Sequence, residues 1–336
     1  MGELLFPLAA VALTFLALIP ALTLVSRAVL WRKRRVGGAW VDFGSDAVFA
    51  WLVLPTLVPV VWLTSSALHQ TEASQSTQAC LIEHVQVTTC LDAALLVGLL
   101  LGGMALSIGV RVYRERPRGS LSVVSGDAEL ARRVAAVVAG DRGLRRLSVQ
   151  VARGAASPVF TEGWFRGRTV LDACFVRDAD DAMIRAALLH ELAHVRAWDT
   201  MRDFGVRLCL SVNPAGRLLT GDFERWRAAR EALCDSEAVH LGGEPLALAE
   251  SIVRAARFEC EGLASCGVSR LCGHDLTALK LRLALLLSGP ARPARSLGHV
   301  VLIAAAVAAV VVPHMAPAGV LEHVHFEVER LLHPHL

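Results

Sequence analysis

His190, Glu191 and His194 are the residues of this chain whose types and spacing are best suited to chemistry. They belong to His190-Glu191-Leu192-Ala193-His194, a complete H-E-x-x-H within a stretch that reads as helix. Positions i and i+4 stack on one helical face, so both imidazoles can grip a single metal ion. Glu191 is turned by ~100° from His190, near enough to reach a water activated by that ion without being a ligand. This combination is the signature of zinc hydrolases, with the Glu as general base. A chance match on an ordinary amphipathic helix is the competing reading, and the completeness of the motif outweighs it.

A catalytic zinc site needs a third protein ligand and an open position. The best source is Arg230-Glu231-Ala232-Leu233-Cys234-Asp235, on a later helix, where Glu231 and Asp235 are i and i+4. One could bind the metal while the other accepts a hydrogen bond from a ligating His. The alternative is a solvated acidic face partnered by Arg227 and Arg230, and spacing alone does not choose. With zinc bound, water ionises near pH ~7. Glu191 would take the proton as the scissile carbonyl is attacked and pass it to the leaving amine. The strand near Val170 is expected to pair with an extended substrate, as an edge strand does. The oxyanion donor stays unassigned between zinc itself and an Arg. Tyr113, the only Tyr, sits at the membrane boundary, and His240 is rotated away from the Glu231 face, which suits a structural role.

The elements that must position these residues lie between Pro117 and Ser296, 180 residues with room for their own core. Segments 121–125, 147–152, 158–161 and 169–171 read as strands, 163–167 as a turn and 127–139 as an amphipathic helix. Asp180 is an acidic start of the kind that caps helices, and one helix runs from it through His194 to about Trp198. A second begins near Asp199 and stops before Asn213-Pro214. Further helices fit 222–241, 245–257 and 276–287. A small sheet followed by packed helices is the α+β pattern.

With 54% hydrophobic and 19% charged residues, the whole chain is too apolar for an ordinary soluble protein. Apolar runs cover 4–30, 47–68, 93–112 and 297–312. The first three reach the ~20 residues needed to cross a bilayer, and the fourth does so if His314 and Met315 lie near the interface. Pro7, Pro20, Pro55 and Pro59 are tolerated in membrane helices. The first run is too long for a cleaved signal peptide, begins with Glu3, and has its basic cluster behind it, so a retained helix is expected. Arg32-Lys33-Arg34-Arg35 follows the first run and Arg111, Arg114, Arg116 and Arg118 the third, while 69–91 holds no Lys or Arg. Basic residues stay inside, so both termini and the 69–92 loop are expected outside, and 117–296 in the cytoplasm. Arg292 and Arg295 guard the entry to the fourth run.

The cysteines divide along the same line. Cys80 and Cys90 share the outer loop, where a disulfide could close it. Cys174, Cys209, Cys234, Cys260, Cys266 and Cys272 would be reduced thiols. Cys260, Cys266, Cys272 and His274 do not have the spacing of a zinc knuckle. The clustered His314, His323, His325, His333 and His335 read as an amphipathic end, with metal sensing the alternative.

His-Glu-Leu-Ala-His, then Asp199, then Asn213-Pro214, then Arg-Glu-x-x-Cys-Asp resembles the BlaR/MecR family of membrane-bound zinc metallopeptidases. Ser157-Pro158 with Gly163 ahead of the strand at 169–171, and Leu279-Lys280-Leu281-Arg282-Leu283, are similar to that family as well. The resemblance implies a multi-span α-helical membrane protein with a cytoplasmic α+β zinc metallopeptidase domain of gluzincin type. Three helices would occupy 1–116, the domain 117–296, a fourth helix 297–315 and a short outer tail 316–336. It also implies that His190, His194 and Glu231 bind zinc, that Glu191 is the base, and that Asp235 supports a ligating His. Two departures stand out: the short tail leaves no room for the family's outer penicillin-binding sensor, and Arg166 and Asp172 replace its usual prolines. The expected partners are the lipid bilayer and a cytoplasmic protein substrate, with a repressor implied by the resemblance. A homo-oligomer stays open, and no direct contact with nucleic acid is expected. A quality-control protease of the HtpX/Ste24 type and a non-catalytic signalling scaffold are the alternatives.

Overall fold

A computed structural model describes residues 11–36, 40–76, 128–153, 157–162, 167–265 and 272–288, with isolated helical positions in 102–110 and 302–311. Apart from those positions, the third and fourth apolar runs lie outside the described residues. So do the strand expected at 121–125, Tyr113, the loop with Cys80 and Cys90, the tail, and the side chains of Cys260, Cys266, Cys272 and His274.

The described chain is mostly helical, with one small sheet. Helix α1, Val11–Arg35, and the first part of α2, Asp46–Ser65, are long and apolar enough to cross a membrane. α2 continues to Ser76 and carries Pro55 and Pro59 inside it, past the end expected at Leu68, because no breaker follows. After α3, Ala128–Gly140, come strands β1, Ser148–Ala152, β2, Val159–Glu162, and β3, Arg168–Asp172. The sheet order is β1-β3-β2, with β1 parallel and β2 antiparallel to β3.

This order corrects one expectation. Val170 faces Gln150 on one side and Phe160 on the other, so its strand is central and its backbone groups are already paired. Among the described residues, β2 holds the free edge on the side of the H-E-x-x-H helix.

Asp172 starts a short helix, α4, Ala173–Asp178, by accepting a hydrogen bond from the Cys174 N–H. Asp180 does the same for α5, Asp181–Ala197, through Met183 N at 2.7 Å. α5 is buried on nearly every side, with Ile184, Leu188 and Leu189 at the centre of a core shared with the sheet, α3 and α8, Pro245–Ser265. Such a helix is apolar around most of its circumference, so its few polar residues are held in place by packing. α6, Asp199–Val212, follows α5 after the single residue Trp198, which adopts the left-handed conformation at φ 57°. α7, Thr220–His240, and α9, Cys272–Ser288, complete the domain.

A second core joins this domain to the apolar helices: Leu30, Val48 and Leu52 pack with Leu219, Phe223 and Trp226. The turn Trp40–Gly44 lies flush on α7, since a Cβ on Gly44 would stand 2.8 Å from Leu233 Cδ1 and 2.9 Å from the Ala229 carbonyl carbon. Asn213 knots the three parts together. Its amide donates to Thr23 Oγ1 on α1 at 2.8 Å and to Thr56 Oγ1 on α2 at 3.2 Å, while its oxygen accepts from Ala215 N. Thr23 and Thr56 pass their own protons to the Ile19 and Cys209 carbonyls. Asn213→Ala removes the shared donor from a buried network, and a lost partner of this kind costs about 1–3 kcal/mol. A lower thermal midpoint in detergent, measured against wild type, is the expected result.

Candidate metal centre

α5 and α7 face each other across the site. The helical stagger of α5 puts His190 and His194 on one face, their Nε2 atoms 3.1 Å apart. From α7, Glu231 brings Oε2 to 3.5 Å from His190 Nε2 and Oε1 to 3.5 Å from His194 Nε2. Four ligands at the ~2.0–2.1 Å bonds of tetrahedral zinc are separated by about 3.3 Å, which these edges bracket. Two imidazoles and a carboxylate are also a donor set that zinc favours. The residues present therefore fit a metal ion of this size and preference. The Glu231 side chain keeps 40% of its surface open although its carboxylate lies among the crowded groups of the site. That side is where an incoming water or substrate could enter.

Behind each imidazole stands a carboxylate held by an arginine. His194 Nδ1 lies 3.0 Å from Asp199 Oδ2, and Arg230 grips Asp199 with Nε and Nη2 at 3.0 and 2.9 Å. His190 Nδ1 lies 2.9 Å from Asp235 Oδ1, at hydrogen-bonding distance though without a well-directed bond. Arg282 forks onto Asp235 at 2.7 and 2.8 Å and reaches Glu231 at 3.3 Å. With each Nδ1 turned to a carboxylate, each Nε2 is left to offer its lone pair. The Asp199 arm exists because Trp198 turns the chain sharply, directing its N–H to the carbonyls of His194 and Val195.

A second group among the described residues, His194, Asp199 and Cys234, is also close enough to hold a metal. There the Arg230 guanidinium already occupies both Asp199 oxygens, and the Cys234 thiol donates to Oδ2 at 3.3 Å. A cation in the middle of that group is a poor neighbour for another, so this cluster is the support behind His194.

Burial disfavours the charged form of every group here, yet the partners prevail. His190 is raised above the ordinary imidazole value by Asp235 and Glu231, and His194 well above it by Cys234, Glu231 and Asp199. Glu231 is held well below the usual carboxylate range by His194, His190 and Arg282. Asp199 is lowered by His194 and Arg230, and Asp235 by Arg282 and His190. Surroundings that favour a proton on each ring also favour a metal cation in its place. In the metal-free chain the raised imidazoles stabilise the fold below ~6.5, and this contribution is lost as pH rises through their folded values. The lowered carboxylates stabilise it above their unfolded range, and that part is lost as pH falls through their folded values. Metal displaces the ring protons and so binds better as pH rises. The rise in thermal midpoint on adding zinc is therefore expected to be larger at about pH 8 than at about pH 6. The opposite order would mean that the imidazoles are not the ligands.

Glu191, the neighbour of His190 on α5, is 9% exposed and accepts a 2.7 Å hydrogen bond from Thr161 Oγ1 on β2. His240 is exposed at the end of α7, away from the site. Arg227 pairs with Asp203 and Glu224, not with Glu231 or Asp235. Reasoning from sequence missed the parts played by Thr161, Asp199, Arg230, Cys234 and Arg282. Asp199, Arg230, Cys234 and Arg282 stand in the segments that carry the resemblance, but their spacing did not announce these contacts. No family model, curated protein or solved structure matches this chain.

Proposed function

We propose that this chain is a membrane-embedded zinc metalloprotease of the BlaR/MecR type, its catalytic domain in the cytoplasm, cleaving peptide bonds of a cytoplasmic protein. A transcriptional repressor is the substrate that this resemblance favours. The observation that carries the proposal is the convergence of His190 Nε2, His194 Nε2 and the Glu231 carboxylate within 3.5 Å of one another, with Glu191 next along the same helix. Zinc in that cradle would supply Lewis acidity, bringing the ionisation of water toward neutral pH and polarising the scissile carbonyl. Glu191 accepts the proton of the attacking water and returns it to the leaving amine. A substrate lying extended along the free edge of β2 would gain backbone hydrogen bonds beside Glu191. The two apolar helices and the charge pattern support the membrane setting. The Asn213-Pro214 pair, whose Asn213 is tied to both of them, and the order of the apolar runs favour this reading over a quality-control protease of the HtpX/Ste24 type, which shares the zinc motif and a Glu-x-x-x-Asp.

The test uses the full chain in lipid nanodiscs, with fluorescein-labelled casein as a generic unfolded substrate and candidate repressors beside it. Stoichiometric zinc and cleavage that chelation abolishes and zinc restores are expected. Replacing both His190 and His194 by Ala is expected to remove the zinc and the cleavage together. Full cleavage by the metal-stripped chain, or stoichiometric zinc in the double variant, would overturn the reading.

A further inference from the structure

We infer that Thr161 is a positioning residue for Glu191, holding one carboxylate oxygen to the sheet so that the other faces the metal cradle; this rests on the metalloprotease reading. Thr161 Oγ1 donates its single proton to Glu191 Oε2 at 2.7 Å, a length typical of a hydroxyl bonded to a carboxylate. With that proton committed, the 3.0 Å contact between Thr161 Oγ1 and Thr169 Oγ1 must be donated by Thr169. Thr161 and Thr169 face each other across β2 and β3, and Thr169 is fully buried. Two hydroxyls thus point in one direction, from the central strand through the edge strand to Glu191, and each bond in such a chain strengthens the next.

Gly167 makes the reach short enough. A Cβ there would meet Thr161 Cγ2 at 3.0 Å and Val195 Cγ2 at 3.1 Å. Its bare backbone therefore lets the β2–β3 pair settle against α5 in the turn just past His194. Glu191 is otherwise a side chain with rotatable bonds beside a reacting centre, where a displacement of about 1 Å is worth up to ~10²-fold in rate. The Thr161 hydroxyl removes that freedom by holding the carboxylate from the sheet side. It occupies Oε2, and Oε1 is the oxygen left to act.

The test compares wild type, Thr161→Val, Thr161→Ser, Gly167→Ala and Glu191→Gln in nanodiscs. The carboxylate stretch of Glu191, identified by infrared difference as the band missing in Glu191→Gln, is expected to shift in Thr161→Val and to return in Thr161→Ser. On labelled casein, Thr161→Val is expected to lower kcat by ~10–100-fold at nearly unchanged KM and zinc content, and Thr161→Ser to recover most of it. Gly167→Ala is expected to act in the same direction and to add little on top of Thr161→Val. An unmoved infrared band, or a shifted band with wild-type kcat, overturns the positioning role while leaving the protease intact. A wild type that cleaves nothing, or a Glu191→Gln variant that cleaves normally, removes the protease reading itself and this inference with it.

Discussion

Glu191→Gln is expected to keep stoichiometric zinc while cutting kcat on labelled casein by ~10²–10⁴-fold, the range that a positioned acid–base group contributes. Glutamine is the informative choice because its side-chain oxygen can still accept from Thr161 Oγ1, so the 2.7 Å anchor is preserved in kind. What disappears is the ability to take a proton. Alanine would also leave Thr161 facing a gap, mixing a structural loss with the chemical one. Zinc content should not respond, since the carboxylate of Glu191 is outside the triad of His190, His194 and Glu231. This separates the variant from His190→Ala, where metal and cleavage should fall together. Unchanged cleavage by a fully loaded Glu191→Gln chain would mean that another group is the base.

The ends of the elements that carry the candidate ligands were legible because local chemistry sets them. Asp180 caps α5 through Met183 N, and Asn213-Pro214 ends α6. The sense of the α7 pair, with Glu231 toward the Nε2 atoms and Asp235 behind His190, was open in the spacing and was chosen by resemblance. It is fixed physically by Arg282, which arrives from 47 residues further on to fork onto Asp235. No periodicity announces a contact of that range. The sheet order was likewise hidden: three short strands of similar composition do not reveal that the last in sequence lies in the middle. That hid the edge next to Glu191 and the role of Thr161. Asn213-Pro214 read as a stop signal, while its larger role, tying both apolar helices to the domain, depends on Thr23 and Thr56, about 190 and 157 residues away.

Arg282→Met is expected to be the most damaging change outside the three candidate ligands, His190, His194 and Glu231. The Arg282 side chain is 17% exposed and Asp235 2%, so their forked pair is largely withdrawn from water. Breaking a buried pair from one side typically costs about 3–5 kcal/mol, because the remaining charge is left uncompensated. Here the orphan would be Asp235, with Glu231 also deprived of a neighbour at 3.3 Å. Two carboxylates without their arginine hold their protons more tightly, which loosens the orientation of His190 and competes with the metal. Loss of such support behind a ligand commonly lowers metal affinity by ~10–100-fold. The expected result is a lower thermal midpoint in the metal-free chain together with weaker zinc binding in a competition with a chelator. Adding Asp235→Asn to Arg282→Met separates the two effects. The neutral amide no longer needs a counter-charge and can still present an oxygen toward His190 Nδ1, so stability should recover more fully than zinc affinity. If both recovered equally, Arg282 would matter only as a neutraliser. If neither did, its planar fork would be what holds α9 against α7 and keeps the Glu231 face turned toward the two imidazoles.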